Sequence, residues 1–237
     1  MQIIVDLFNQ HSGDLDELER MALSAKLAGA DFVKIQLLDS QAIWGDDSRK
    51  YLEMTRDQFL FFKEYCDKQK IKMFATSFTF ENHEWLRESE IEMYKLASVT
   101  VQKEPEFCEA VIAEGKPTFV SNGFTPEKTL FSDRENVIRF FCVSKYPTLL
   151  NDEDLKFFPE AFGKNQIFQG FSDHTPGYAA ALVAKVRGAE FLEKHFTPSI
   201  NLQRPGELGH MAAFDSDSLA RFRGLTKELD IFLDALG

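Results

Sequence analysis

Short apolar runs alternate along the chain with longer stretches whose apolar positions recur every three or four residues, the two periods that separate strands from helices. Ile3–Leu7 reads as a strand, and Leu15, Leu18, Ala22, Ala25 and Ala28 then mark one helical face. Asp14 and Glu17 supply its N-terminal cap and Gly29 lies just past its end. Phe32–Leu37 is the next strand, followed by a polar loop and a helix opened by a Thr55/Gln58 capping box and running to about Gln69. The same reading gives strands at Lys72–Thr76, Met93–Leu96, Pro117–Ser121, Val137–Val143, Ile167–Gly170 and Glu190–Phe196. Helices are predicted at Phe80–Glu88, Glu104–Glu114 (closed by Gly115), weakly after Pro126, near Asp154–Phe158, at Tyr178–Arg187 and from Asp215 onward. The last carries Leu219, Phe222, Leu225, Leu229, Phe232 and Leu236.

The count is eight strand–helix units with no break in composition, so residues 1–237 are read as a single domain. That number in a chain of 237 residues fits a (β/α)8 TIM barrel, typically ~250 residues long. A doubly wound open sheet is the competitor, but its first turn would carry GxGxxG, and here it reads Phe8-Asn-Gln-His-Ser-Gly13.

Composition narrows the partners. Hydrophobic residues are 44% and charged residues 27%, ordinary for a globular protein, and the net charge of −11 argues against nucleic-acid or anionic-membrane binding. A local basic pocket for a small anion is compatible with that balance. The three cysteines, Cys66, Cys108 and Cys142, lack CxxC spacing, which argues against a disulfide framework or structural zinc. Asp6 and Asp14 interrupt the start, so no signal peptide is expected, and no apolar run approaches the ~20 residues of a membrane span. The expected compartment is a reducing cytoplasm.

Barrel active sites lie at the C-terminal ends of the strands, and chemically useful residues collect there. Asp6 ends strand one, Lys34 and Gln36 lie late in strand two, and Thr76 ends strand three. Lys95 and Ser98 close strand four, Ser121 and Asn122 strand five, and Ser144 follows strand six. Ser172, Asp173 and His174 follow strand seven; Glu193 and His195 close strand eight. Period-two alternation puts Lys34 with Gln36 on one face and Glu193 with His195 on another, all inward if Ile35 and Leu192 face the helices. Two inward lysines among hydroxyls suit phosphate or carboxylate; the bland alternative is lysines whose heads reach solvent. His174 and His195 end adjacent strands, which run about 4.8 Å apart. They either share a divalent metal, with Glu193 as a direct or water-mediated partner, or are hydrogen-bonded core histidines.

Other candidates read as structural. His11 is placed at the same mouth, His83 on a solvated or packed helix face, and His210 either at the mouth or in solvent. The 24 phenylalanines, Phe59, Phe61 and Phe62 among them, are expected to fill the barrel–helix interface. Cys142 reads as packing rather than nucleophile, and Gly45-Asp-Asp-Ser48 as a solvated loop.

Gly170-Phe-Ser-Asp-His-Thr175 and Gly188-Ala-Glu-Phe-Leu-Glu-Lys-His-Phe-Thr197 resemble the signature of the N-acetylneuraminate (sialic acid) synthase family. The likeness continues, in order, through His11-Ser-Gly-Asp-Leu15, Gly29-Ala-Asp-Phe-Val-Lys-Ile-Gln36, Lys95-Leu-Ala-Ser98, Gly115-Lys-Pro, Ser121-Asn-Gly123 and Cys142-Val-Ser-Lys-Tyr-Pro-Thr148. It implies a metal-dependent barrel that condenses phosphoenolpyruvate with an aldose of N-acylhexosamine type to a sialic-acid-like product and phosphate. The metal, commonly manganese with magnesium as the alternative, would be held by His174 and His195. Phosphoenolpyruvate would meet Lys34, Thr76, Lys95, Ser98, Ser121, Ser144 and Ser172. Glu193, with the two histidines, is the catalytic candidate, orienting a water or moving a proton.

The chain departs from the pattern on the sugar side. Thr100 stands in place of a glutamate, Gln10-His11-Ser12-Gly13 in place of Asn-His-Asn-Gly with Asp6 for its preceding glutamate, and Gly206-Glu-Leu-Gly-His210 in place of Gly-Pro-Asp-His. The family's C-terminal antifreeze-like domain is expected to be missing or supplied by a separate protein, and the family's homodimer would then rest on barrel surfaces. The competing readings are a non-catalytic or partner-dependent barrel that binds phosphoenolpyruvate or a sugar acid, and a lyase or hydrolase of phosphorylated sugar acids.

Overall fold

The computed structural model describes residues 1–125, 130–201 and 211–236. Eight parallel strands, β1 (Gln2–Asp6), β2 (Phe32–Leu37), β3 (Met73–Ser77), β4 (Tyr94–Leu96), β5 (Thr118–Ser121), β6 (Val137–Cys142), β7 (Gly170–Asp173) and β8 (Phe191–His195), close in sequence order into a barrel. β1 pairs with both β2 and β8, placing Asp6 beside Lys34 on one side and His195 on the other.

The surrounding helices are α1 (Leu15–Leu27), α2 (Ser40–Trp44), α3 (Arg56–Lys68), α4 (Phe80–Glu88), α5 (Ser98–Lys103), α6 (Pro105–Ala113), α7 (Ala179–Val186) and α8 (Ser216–Leu236). Local chemistry explains their starts. Asp14 accepts the Glu17 N–H, and Thr55 and Gln58 form the reciprocal capping box. The expected one-helix-per-strand pattern is corrected in four places. Two helices follow β2 and two follow β4, β6 is followed by a 3-10 turn at Glu153–Phe157, and no helix follows β5 among the described residues. The weak helix placed after Pro126 begins in residues 126–129, outside the described set.

Strand seven also shifts. Ile167, where the reading began it, is 51% exposed, and the segment before Gly170 is a turn tied by the Gln169 side chain to the carbonyls of Gly163 and Gln166. The true strand carries polar residues because the barrel lumen needs them, so an apolar run was the wrong signal. Ser172 faces inward, whereas Asp173 faces the helices and pairs with the fully buried Lys194 at 2.7 Å. Asp173 is thus a structural residue, not part of the mouth.

The phenylalanines need a similar correction. Phe59 and Phe62 are buried under α3, but Phe61 points outward and is 60% exposed, as helical spacing dictates. Inside the barrel, Phe119 packs against Phe74, Phe140 and Phe191 at ring-centroid distances of 5.3, 5.3 and 5.2 Å. This aromatic plug fills the lower lumen, and it fits because β7 offers Gly170 opposite Phe140. A Cβ at Gly170 would lie 2.7 Å from the Phe140 ring. The polar residues occupy the upper half of the lumen, on an apolar floor.

Candidate active site

At the C-terminal ends of the strands the barrel opens into a cavity of about 400 Å³. Lys34, Lys95, Ser98, Ser121, Ser144, Ser172, His174, Glu193 and His195 all line it, so strand alternation delivers the predicted set to one place. Thr76 is the exception: it sits between Gln36 and Lys95 in the register, fully buried and off the cavity wall, and its hydroxyl makes no hydrogen bond. His11 packs behind Phe8 and does not line the cavity. His210 lies outside the described residues.

Two carboxylates hold the lysines. Lys34 Nζ is 2.8 Å from Asp6 and 3.5 Å from Glu193 Oε1; Lys95 Nζ is 3.3 Å from Glu193 Oε2 and donates to Ser121 Oγ. Gln36 donates to Asp6 at 2.7 Å and Ser172 to Glu193 at 3.1 Å. The two lysines diverge electrostatically. Burial works to discharge Lys34, but the charges of Asp6 and Glu193 prevail and raise its pKa. At Lys95 burial, aided by the positive Lys34, prevails and lowers it. Burial opposes ionisation of Glu193, yet the two lysines pull its pKa down to about 2. Glu193 is therefore an ionised carboxylate, not an acid.

Hydroxyls converge on the other side of the cavity. Ser98 Oγ accepts the Gly123 N–H at 2.9 Å. A Cβ at Gly123 would meet Ser144 Oγ at 2.1 Å, Ser98 Oγ at 2.8 Å and Cys142 Sγ at 3.1 Å, so this position is open only to glycine. Lys95 also lies 4.7 Å over the Phe140 ring, which joins the cation to the aromatic floor. Cys142 is buried, and burial raises its thiol pKa, consistent with packing.

The histidines are set for ligation. Nδ1 of His174 contacts the Val143 carbonyl at 2.8 Å, and Nδ1 of His195 the Phe8 carbonyl at 2.7 Å. A carbonyl only accepts, so each Nδ1 carries the proton and each neutral ring keeps its Nε2 lone pair. Burial lowers both pKa values, that of His195 to about 4. The ring centroids are 5.7 Å apart. Paired neutral imidazoles, each held by a backbone carbonyl, fit a divalent cation. Among the described residues no group of three His, Cys, Asp or Glu is gathered to hold one.

Sequence reasoning missed Tyr146, whose ring lies 4.1 Å from that of His174 and 5.7 Å from that of His195. It also missed the outer wall of Trp44 and Arg49, the guanidinium stacked 4.5 Å over the indole. Tyr146 had a signal in the Lys-Tyr-Pro string; the wall sits on a loop and a short helix with no periodicity to read.

His83 is packed, as expected. It is buried, accepts from Ser77 and donates to Glu114, and faces Tyr94 with centroids 4.6 Å apart. The Asp46–Asp47 loop is exposed. No helix among the described residues is long and apolar enough to cross a membrane.

Similarity to known proteins extends over most of the chain. The chain is 31% identical to the pseudaminic acid synthase of Campylobacter jejuni over 221 residues, covering 82% of this chain and 64% of that protein. It is 29% identical to an uncharacterised protein of Methanocaldococcus jannaschii, covering 82% and 61%. The chain thus spans about three fifths of the length of these relatives. A solved structure of the N-acetylneuraminic acid synthetase of Leptospira borgpetersenii, in complex with citrate, superposes with a TM-score of 0.83 at 28% identity, covering 98% of this chain and 84% of that one. Residues 21–234 match the NeuB family, and with nearly the whole barrel inside that match, the chain belongs to it.

Proposed function

We propose that this chain condenses phosphoenolpyruvate with an aldose of the N-acylhexosamine type, giving a sialic-acid-like 2-keto-3-deoxy sugar acid and phosphate. One observation carries the reading: two lysines, four serines and two Nε2-free histidines share a single cavity with an ionised Glu193. Kinship with pseudaminic and N-acetylneuraminic acid synthases supports it.

In this reading Lys34, Lys95, Ser98, Ser121, Ser144 and Ser172 bind the phosphate and carboxylate of phosphoenolpyruvate, with Thr76 beside Lys95 in the strand register. Held there, its C3 faces the aldehyde carbon of the open-chain sugar. A C–C bond forms from C3, the aldehyde oxygen takes up a proton from solvent water, and positive charge develops at C2. Water adds to C2, and the Glu193 carboxylate accepts the proton it releases. The C2–O bond to phosphate then breaks with its electron pair leaving on phosphate, the C2 hydroxyl gives its proton to the departing phosphate, and the keto group forms. A divalent ion, manganese or magnesium, would be held by Nε2 of His174 and His195 and would supply Lewis-acid polarisation of the aldehyde oxygen.

The test is phosphate release from phosphoenolpyruvate with manganese across a panel of acylated hexosamines and simple aldoses. Release that requires an aldose and disappears in His195→Ala is the expected result. Phosphoenolpyruvate binding with no release from any sugar would replace this reading with a partner-dependent or non-catalytic barrel. Release without an aldose would point to hydrolysis.

A further inference from the structure

Behind the two cavity histidines, on the helix side of the barrel, lies an ion pair that the chemistry above does not use. Asp173 and Lys194 stand opposite each other in the β7–β8 register, and both side chains are fully buried. Among the described residues no other ion pair outside the cavity has both partners so buried. A pair of this kind gains little over apolar packing of the same volume, because desolvating two charges offsets their attraction. What it fixes is geometry.

Asp173 Oδ1 accepts both the N–H and the hydroxyl of Thr175 at 2.8 Å, and Oδ2 accepts from Lys194 Nζ at 2.7 Å. Lys194 also donates to the Thr175 carbonyl, and the Phe214 ring lies 5.4 Å from its Nζ. Each polar side-chain atom of the cluster has a partner, and none of its residues lines the cavity. The cluster is therefore not a ligand site of its own.

Its bonds instead bracket the two imidazoles. β7 ends at Asp173, so His174 is the first residue beyond the strand, and the cluster holds the chain on both sides of it, at Asp173 and Thr175. Lys194 immediately precedes His195 on β8. One lysine thus ties together the backbone beside both rings, whose centroids are 5.7 Å apart. We propose that the Asp173–Lys194 pair positions the His174 and His195 rings relative to each other and so sets their joint affinity for a divalent cation. Both are positioning residues that act through the backbone, and the inference rests on the reading of the two histidines as metal ligands.

The test uses the full chain and measures manganese affinity by equilibrium dialysis, phosphoenolpyruvate affinity of the metal-free protein by calorimetry, and the urea midpoint. Asp173→Asn combined with Lys194→Met replaces the pair by neutral side chains of similar size, and the new amide oxygen still accepts from Thr175. Manganese binding should weaken about tenfold or more, the size of effect produced by losing groups that orient a metal's ligands. The urea midpoint should stay near the parent's. Phosphoenolpyruvate affinity should stay near it as well, because Lys34, Lys95, Ser98, Ser121 and Ser144 lie on or after other strands. Thr175→Val keeps the ion pair and removes one bond to Asp173; it should weaken manganese binding by a smaller factor, and it decides the matter if the double variant does not fold. Parent-like manganese affinity in the folded double variant, or in Thr175→Val where that variant stands alone, overturns the inference by itself. A loss of manganese affinity matched by an equal loss of phosphoenolpyruvate affinity assigns the pair to the fold alone and overturns it too. A parent protein that binds no manganese, or binds it undiminished after both His174→Ala and His195→Ala, overturns the ligand reading and this inference with it.

Discussion

Glu193 and Lys95, on strands that do not adjoin, meet across the barrel lumen with Oε2 3.3 Å from Nζ. The same carboxylate reaches Lys34 through Oε1, so one side chain acts on the charge state of both cations in the cavity. Removing it should act on binding through the lysines as well as on proton transfer.

Glu193→Gln should therefore move the pH dependence of phosphoenolpyruvate binding. Lys95 is a cation below its pKa and neutral above it, and burial already lowers that pKa against the opposing pull of Glu193. Without the carboxylate it falls further, so affinity is lost at lower pH in the variant than in the parent. Calorimetric titration with phosphoenolpyruvate from about pH 7 to 10 would show the alkaline limb displaced. Superimposable limbs would exclude this coupling.

Metal dependence should localise to the two imidazoles. Chelation is expected to abolish aldose-dependent phosphate release and leave the thermal transition of the barrel in place, because the aromatic plug and helix packing do not involve His174 or His195. Equilibrium dialysis with manganese should find a binding site that either His174→Ala or His195→Ala removes. Undiminished manganese binding in both variants would place the ion elsewhere.

Gly170→Ala tests the plug. The added methyl would sit 2.7 Å from the Phe140 ring, and overpacking of this kind costs about 1–3 kcal/mol. A lowered urea midpoint with an unchanged slope is expected. An unaltered midpoint would mean that the lumen relaxes around the methyl.

His83 should make stability fall in mild acid. Burial lowers its pKa in the fold, with Glu114 opposing, so the native state prefers the neutral ring. Above the unfolded value of about 6.5 both states are neutral and its contribution is complete. Below that, the unfolded chain takes the proton first, and stability drops as pH descends toward the folded-state pKa. His83→Gln, which keeps a donor and an acceptor for Ser77 and Glu114, should flatten the dependence of the urea midpoint between about pH 7.5 and 5.5. Parallel curves for the two proteins would assign the acid sensitivity to other groups.

Much of this was legible because it is local. The bounds of β2 and α4 follow from alternation and helical period alone, and the Thr55/Gln58 box names its own helix. The strand-end rule picked out the lysines, serines, histidines and Glu193 of the cavity, since a parallel strand surrounded by helices has few reasons to carry Lys34 or Glu193. It failed at strand seven, where inward polar residues hid the strand and the apolar Ile167 belonged to a turn. It failed at Asp173, because position along a strand does not say which face an acid takes when a buried lysine on the next strand can neutralise it.

By itself, then, the sequence determined the order and type of most elements, the eight-stranded barrel and the side of it that carries chemistry, because these depend on short-range periodicity and backbone geometry. Only the tertiary structure decided that Glu193 joins two lysines, that Lys34 and Lys95 are driven in opposite directions, and that Thr76 and His11 stay off the cavity. Those outcomes depend on distances between residues far apart in the chain, and ionisation and hydrogen bonding vary steeply with such distances in a buried site. No pattern along the chain carries that information until the barrel closes.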